Sequence, residues 1–481
     1  MHINQNNIFI IKVQNIILHL YFFIFTTISK RDMISGAKDL TQGPILRQLY
    51  NLAIPIMGTS FVQMAYNLTD MAWVGRLGSE SVAAVGSVGI LTWMASSIAL
   101  LNKVGSEVSV GHSVGMQDAK MARNFASHNI TISFILSIIL GIIFFSFSRS
   151  IISLYGLSDS ITFNAVNYLK IISTALPFVF MSAAFSGIFN ACGRTIVPFY
   201  INGVGLIMNM VLDPLFIFVF HMGTNGAAIA TWIAQFTVFI LFVYKLKFKK
   251  ALFNGIPFIV SLKKEYTKKI LKLGVPVALL NTLFAFVNII LGKSASAQGG
   301  HLGLMTLTTG GQIEAVSWNT SQGFSSALSS FVAQNYAAGK KNRITKAFKI
   351  TIGLASFFGL LSSFAFIFYG NEIFSIFVPE AEAYTTGGRY LTIDGYSQIF
   401  MMIEITTQGM FYGVGRSLPP AIISIGCNYF RIPLSIFLIS LGMGLDGIWW
   451  SISITSIMKG IICIIWLYLI RKKLYIRDQF A

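Results

Sequence analysis

Residues 191–199 read ACGRTIVPF, and residues 413–421, 222 positions later, read GVGRSLPPA. A glycine, an arginine, a hydroxyl residue and a proline fall at matched places in the two stretches. Four more blocks recur in the same order at offsets of 219 to 222: LAIP (52–55) with LGVP (273–276), HSVGMQDAKMAR (112–123) with QNYAAGKKNRIT (334–345), NMVLDPL (209–215) with NYFRIPL (428–434), and MGTNG (222–226) with MGLDG (443–447). Composition alone does not place five blocks in register, so the chain is an internal duplication.

The duplicated unit is membrane-spanning. Hydrophobic residues make up 54% of the 481 positions and charged residues 11%, with a mean hydropathy of +0.70. A soluble protein carries roughly 25% charged residues, so a cytosolic enzyme and a disordered chain are excluded. A helix needs about 20 apolar residues to cross the hydrocarbon core. Twelve segments meet that requirement, near 49–74, 82–110, 126–147, 165–190, 196–220, 225–245, 269–292, 303–335, 347–369, 388–413, 418–440 and 447–470. Six fall in each half. Six crossings return a chain to its starting side, so the repeats are parallel, and two parallel repeats about an axis normal to the membrane enclose a central cleft. The expected fold is all-α and polytopic, with two pseudo-symmetric six-helix bundles.

The net charge of +18 fits this topology. Lysine and arginine concentrate on the cytoplasmic side of membrane proteins. With a cytoplasmic N-terminus, 26 of the 35 basic residues fall in inside segments, while the outside loops hold Arg76, Arg149, Lys293 and Arg389. Both termini are therefore expected inside, in a bacterial-type inner membrane. The divisions expected are a lead-in over 1–40, a first lobe over 41–245, a basic linker over 246–268, a second lobe over 269–475 and a tail over 476–481. Residues 1–32 read as an extension before a start at Met33. The basic excess belongs to topology rather than to nucleic acid binding, and Cys192, Cys427 and Cys463 show no metal spacing.

The halves differ where chemistry is expected. MAYNLTDMAW (64–73) in span one carries Tyr66, Asn67 and Asp70. The matching stretch of span seven keeps Asn288 but has Val287 and Leu291 in place of the tyrosine and the acid. Span five carries Asn209 and Asp213, whereas span eleven keeps Asn428 and has Ile432. A carboxylate inside a span costs about 2.5–3.5 kcal/mol on insertion scales, which marks it as functional by default. Tyr66 and Asp70, like Asn209 and Asp213, are four apart and share a helical face. Pro214 frees the carbonyl four residues back from its helical bond. That carbonyl, two carboxylates, an amide oxygen and the Thr231 hydroxyl suit a hard cation such as Na⁺; desolvated carboxylates equally suit a proton. Pro55 and Pro214 are the candidate hinges.

These motifs resemble the multidrug and toxic compound extrusion (MATE) family, its DinF-like branch in particular, over about residues 35–475. In that family a tyrosine and an aspartate of span one, an asparagine and an aspartate of span five and a threonine of span six form a cation site, and the resemblance carries this role onto Tyr66, Asp70, Asn209, Asp213 and Thr231. It implies a secondary antiporter, not an enzyme, exporting amphipathic or cationic drug-like molecules by alternating access. Na⁺ or H⁺ is the coupling ion, no cofactor is expected, and the partners are substrates and membrane lipids, with the protein a monomer that binds no nucleic acid. A lipid-linked oligosaccharide flippase and a major-facilitator transporter are the alternatives; the former usually has fourteen spans, and the G-x-x-x-D-R motif of the latter is absent after span two. Glu404, Glu314, Asn67 and Asn288 are candidates for lining the substrate cleft. Lys103 and Glu107 are expected to form a helix ion pair, Asp394 to lie near the outer end of span ten, and His112 and His128 to be solvated.

Overall fold

In the computed structural model, residues 36–249 and 251–474 are described; the extension before Met33 and the start at Met33 lie outside them. The first repeat comprises α1 (Ile45–Gly75), α2 (Ser79–Gly115), α3 (Ala119–Ser146), a short α4 (Ser148–Ser153), α5 (Asp159–Ala191), α6 (Ile196–Pro214) and α7 (Gly223–Val243). The second comprises α8 (Lys264–Ala337), α9 (Lys341–Phe377), α10 (Ala381–Gly395), α11 (Gln398–Gly413), α12 (Leu418–Leu438) and α13 (Gly444–Leu474).

Eight helical stretches of the described residues are long and apolar enough to cross a membrane. Two of these, Lys264–Ala337 and Leu418–Ile470, contain a break and serve as two spans each. In α8 the break is at Gly299 and Gly300, where Gly300 takes φ 58°. The more polar α1 and the α10–α11 pair complete twelve. At 37 residues, α2 is about 55 Å long at 1.5 Å per residue, well beyond a ~30 Å core.

The duplication is visible in individual bonds. Pro55 has no amide hydrogen to offer the carbonyl of Asn51, and the Thr195 hydroxyl donates to that oxygen instead, at 3.1 Å. In the second repeat Pro276 leaves the Lys272 carbonyl free, and the Ser417 hydroxyl donates to it at 3.2 Å. The hydroxyl residue of the ACGRT and GVGRS motifs thus satisfies the carbonyl that the proline of the first helix in each repeat leaves free. Close approach is duplicated too. A Cβ on Gly187 would stand 2.3 Å from the Lys103 carbonyl oxygen, and one on Gly409 2.2 Å from that of Ser325. Only glycine permits α5 to meet α2, and α11 to meet α8, at that distance.

The cores show how the repeats meet. On the side where α1 begins, they interlock. Leu49, Leu52 and Ile56 of α1 pack in a cluster with Phe324, Leu328 and Met402 of the second repeat, while Ile270 and Ala278 of α8 pack with Phe125, Phe185 and Phe242 of the first. On the opposite side the cores are separate. Val74, Val88, Leu169 and Phe180 pack only within the first repeat, and Val287, Ile313, Tyr390 and Trp449 only within the second. The cleft is therefore sealed on the α1-start side and parted on the other.

Candidate functional site

The first repeat holds its polar residues where three helices meet. Asp213 and Asn209 of α6 are fully buried, Tyr66 of α1 is buried, and Asp70 of α1 and Thr231 of α7 are half-buried. One turn of helix places Asn209 Nδ2 3.0 Å from Asp213 Oδ1, to which it donates. Pro214 ends the regular part of α6, and a wider π turn over Leu215–Val219 follows. Thr231 and Gln235 stand beside the Tyr66 hydroxyl, with Asp70 and Asp213 within electrostatic reach of it. Their geometry still leaves that hydroxyl without a complete hydrogen bond.

The site has no basic residue among the described ones, and most of its polar atoms are unpaired. Tyr66 Oη, Asp70 Oδ1, Asn209 Oδ1, Asp213 Oδ2 and Thr231 Oγ1 are buried, and none has a hydrogen-bond partner within the described protein. Leaving a buried polar group unsatisfied costs about 1–3 kcal/mol, more when it is charged. Asp213 is within electrostatic reach of Asp70, and no lysine or arginine is among the described groups that act on either. Five oxygens, two of them from carboxyl groups and none facing a basic residue among the described ones, fit either Na⁺, through hard oxygen ligands, or protons on the carboxyls.

Two further neighbours lie beside the site. Tyr168 of α5, buried, is within reach of Asp70, Tyr66 and Asp213, and Gln235 lies one turn beyond Thr231. Gln235 lies outside the repeated blocks, whereas Tyr168 falls in YLKI (168–171), which matches YLTI (390–393) at the same offset of 222; a tyrosine shared by both halves does not stand out in a search for positions where they differ.

The second repeat is arranged differently. Glu404 is 2% exposed, which turns it into the interior of its bundle rather than toward a cleft. Lys459 Nζ stands 3.4 Å from one of its oxygens, and Ser424 and Gln408 donate to the other at 2.6 and 2.7 Å. Glu314 is half-buried, accepts from Tyr390 at 3.4 Å and has Arg431 and Lys459 as electrostatic neighbours. Arg431 in turn donates to Thr455 and Ser456 at 2.8 and 2.9 Å. Asp394 lies not near the end of its span but in its middle, at the break between α10 and α11, where Ser397 and Gln398 donate to it at 3.1 and 2.5 Å. These acids are provided with internal donors and fixed cations. Asn67 and Asn288 are exposed on α1 and α8, with Gln63 3.5 Å from the Asn67 oxygen.

The other charged expectations also change. Glu107 takes its hydrogen bonds from serines of the second repeat, with Lys103 acting on it only electrostatically. His112 and His128 are 5% and 4% exposed, not solvated. The Lys263 amide donates to His128 Nε2 at 3.1 Å, so His128 Nδ1 carries the proton that the Asn124 carbonyl accepts at 2.7 Å.

Twelve spans among the described residues, in two parallel repeats parted on one side and with an acidic cluster in one repeat that no described basic residue neutralises, define a polytopic membrane protein with transporter architecture. The sequence model of the MatE family matches residues 55–215 and again 274–437, once per repeat, and the chain belongs to that family. It is 26% identical over 417 residues to the probable multidrug resistance protein NorM of Thermotoga maritima, covering 84% of this chain and 88% of that one. It is 24% identical over 433 residues to the FAD transporter of Shewanella oneidensis, covering 88% and 94%. Among solved structures, a MATE protein in complex with MaL6 aligns with a TM-score of 0.86 at 23% identity, covering 90% of this chain and 98% of that one.

Proposed function

We propose that the protein is a cation-coupled exporter of amphipathic, often cationic small molecules, working by alternating access between its two repeats. The observation that carries the coupling is the buried group of oxygens around Asp70 and Asp213, which no basic residue among the described ones neutralises. The names of the Thermotoga relative and of the family support drug-like cargo. The five-residue set in the first repeat supports the DinF-like branch. The basic excess on the α1-start side supports a plasma membrane location with that side, and both termini, in the cytoplasm.

A cation shifts the balance between two states only if it binds them unequally. Bound at Asp70 and Asp213, it removes their mutual repulsion and satisfies the acceptors of α1, α6 and α7 together. That draws the helices into one packing; releasing the cation lets α1 bend at Pro55 and α6 at Pro214. One elementary charge moving down 100 mV supplies about 2.3 kcal/mol, above the ~1.4 kcal/mol of a tenfold gradient of a neutral substrate. Asn67 and Asn288 offer amides to the cargo from opposite repeats.

The test is dye efflux in membrane vesicles under an imposed Na⁺ gradient and, separately, an imposed pH gradient. At least one gradient is expected to drive dye movement against its concentration difference; movement indifferent to both contradicts the proposal.

A further inference from the structure

On the sealed side, side chains of α2 and of the second half of α8 join the two repeats at successive levels. The Glu107 carboxylate of α2, 3% exposed, accepts from Ser326 of α8 at 2.9 Å on each oxygen and from Ser330 at 3.1 Å. Asn190 of α5 lies beside it as a further hydrogen-bonding neighbour, and Lys103 is the only charged group acting on it among the described residues. The next level is His112, whose Nε2 lies 2.7 Å from the Gly413 carbonyl at the end of α11. Beyond it, Gln334 of α8 donates to the Ala191 carbonyl at 2.7 Å and accepts from the Leu40 amide at 3.0 Å. Backbones meet directly here, since a Cβ on Gly115 would stand 2.2 Å from the Gln334 carbonyl oxygen.

Glu107 differs from the other groups in this seam. His112 and Gln334 reach backbone groups, the Gly413 and Ala191 carbonyls and the Leu40 amide. Lys340 and Arg343 of the second repeat also donate across, to Thr41, Gly43, Leu40 and Gln48 around the start of α1. Among the described residues, however, Glu107 alone sets a buried acid of the first repeat against hydroxyls of the second. Hydrogen bonds to an ionised acceptor are roughly twice as strong as neutral ones, and a buried carboxylate stripped of its donors is costly. When the repeats part on this side, Ser326 and Ser330 leave with α8 and water must replace them. When they close, the same two serines allow the carboxylate to be buried.

We propose that Glu107 is a positioning residue for transport: with Ser326 and Ser330 it forms the gate that holds the α1-start side shut. The gate rests on the alternating-access reading above but not on which ion drives it. Neither the paired acids of the second repeat nor the site at Asp70 and Asp213 takes part in it.

The experiment uses Ala333, fully buried and facing Gly111 across the seam. Ala333→Cys is placed in a chain whose Cys192, Cys427 and Cys463 are replaced by alanine, and its rate of reaction with a maleimide is followed in purified protein in detergent. Because micelles expose both sides and nothing is transported, the readout is independent of orientation and of the coupling ion. Glu107→Ala and the pair Ser326→Ala/Ser330→Ala are each expected to speed labelling at least about fivefold, the shift that losing one net hydrogen bond produces. The triple variant is expected to label no faster than the faster of the two, because all three residues belong to one interaction. Parental labelling rates in both variants, with each eluting as a single folded species, overturn the gate; so does simple multiplication of the two effects in the triple variant. If Glu107→Ala does not fold, the serine pair alone decides. Gradient-independent dye efflux would remove the coupling proposal and leave these labelling rates unchanged.

Discussion

Asp213 and Glu404 are both buried carboxylates in membrane-spanning helices, yet they meet opposite surroundings. Asp213 has one oxygen held by Asn209 and the other without a partner, whereas Glu404 has Lys459, Ser424 and Gln408. Sequence spacing made Asp213 legible, because Asn209 and Asp213 sit four apart beside Pro214. It did not separate Glu404 from a cleft residue, since Lys459 is 55 positions away in another helix and only packing brings the two together. The burial of His112 is hidden from sequence spacing for the same reason, since the Gly413 carbonyl it meets belongs to the opposite repeat. At this scale the expected outcome of Thr231→Ala is an increase of about tenfold in the cation concentration that half-saturates transport, as removing one oxygen of a buried site costs roughly 1–3 kcal/mol. Cation titration of dye efflux measures it; an unchanged half-saturation excludes Thr231 from the site.

The elements follow the sequence closely where apolar runs and prolines set them, and depart where glycines and polar residues do. All twelve expected spans are found as helix. Span ten was expected as one helix over 388–413, and it begins at Ala381 and breaks at Tyr396 and Ser397. The break places Asp394 in the middle of the span, and a hydropathy profile carries no trace of it. The two hydroxyl-to-carbonyl bonds beside the prolines make a paired prediction. Thr195→Ala and Ser417→Ala each leave one carbonyl of a first helix without its donor, and each is expected to cost about 1 kcal/mol, read as a lower unfolding temperature in detergent. Gly187→Ala and Gly409→Ala force carbonyl and Cβ apart and are expected to destabilise by about 1–3 kcal/mol. A wild-type unfolding temperature in either glycine variant would mean that the helices do not approach as closely as the structure has them.

Across the whole molecule, the repeats share a backbone plan and divide the chemistry. The second repeat surrounds Glu404 and Asp394 with internal donors. Asp70 and Asp213 of the first each keep an oxygen without a partner, and these two are the ones proposed to take the coupling cation. Breaking a buried ion pair by removing one partner typically costs about 3–5 kcal/mol, while replacing both charges by apolar groups is often neutral. Glu404→Gln alone is therefore expected to reduce stability, and Glu404→Gln/Lys459→Met to recover most of the loss, measured by thermal unfolding of the purified protein. That recovered double variant supplies the comparison on which the division between the repeats depends. Gradient-driven efflux should be measured in proteoliposomes for the parent, Asp70→Asn, Asp213→Asn and Glu404→Gln/Lys459→Met. Stimulation by the cation gradient is expected to vanish in both aspartate variants and to persist in the double variant; persistence in the aspartate variants, with its loss in the double variant, would place coupling in the second repeat and contradict the assignment.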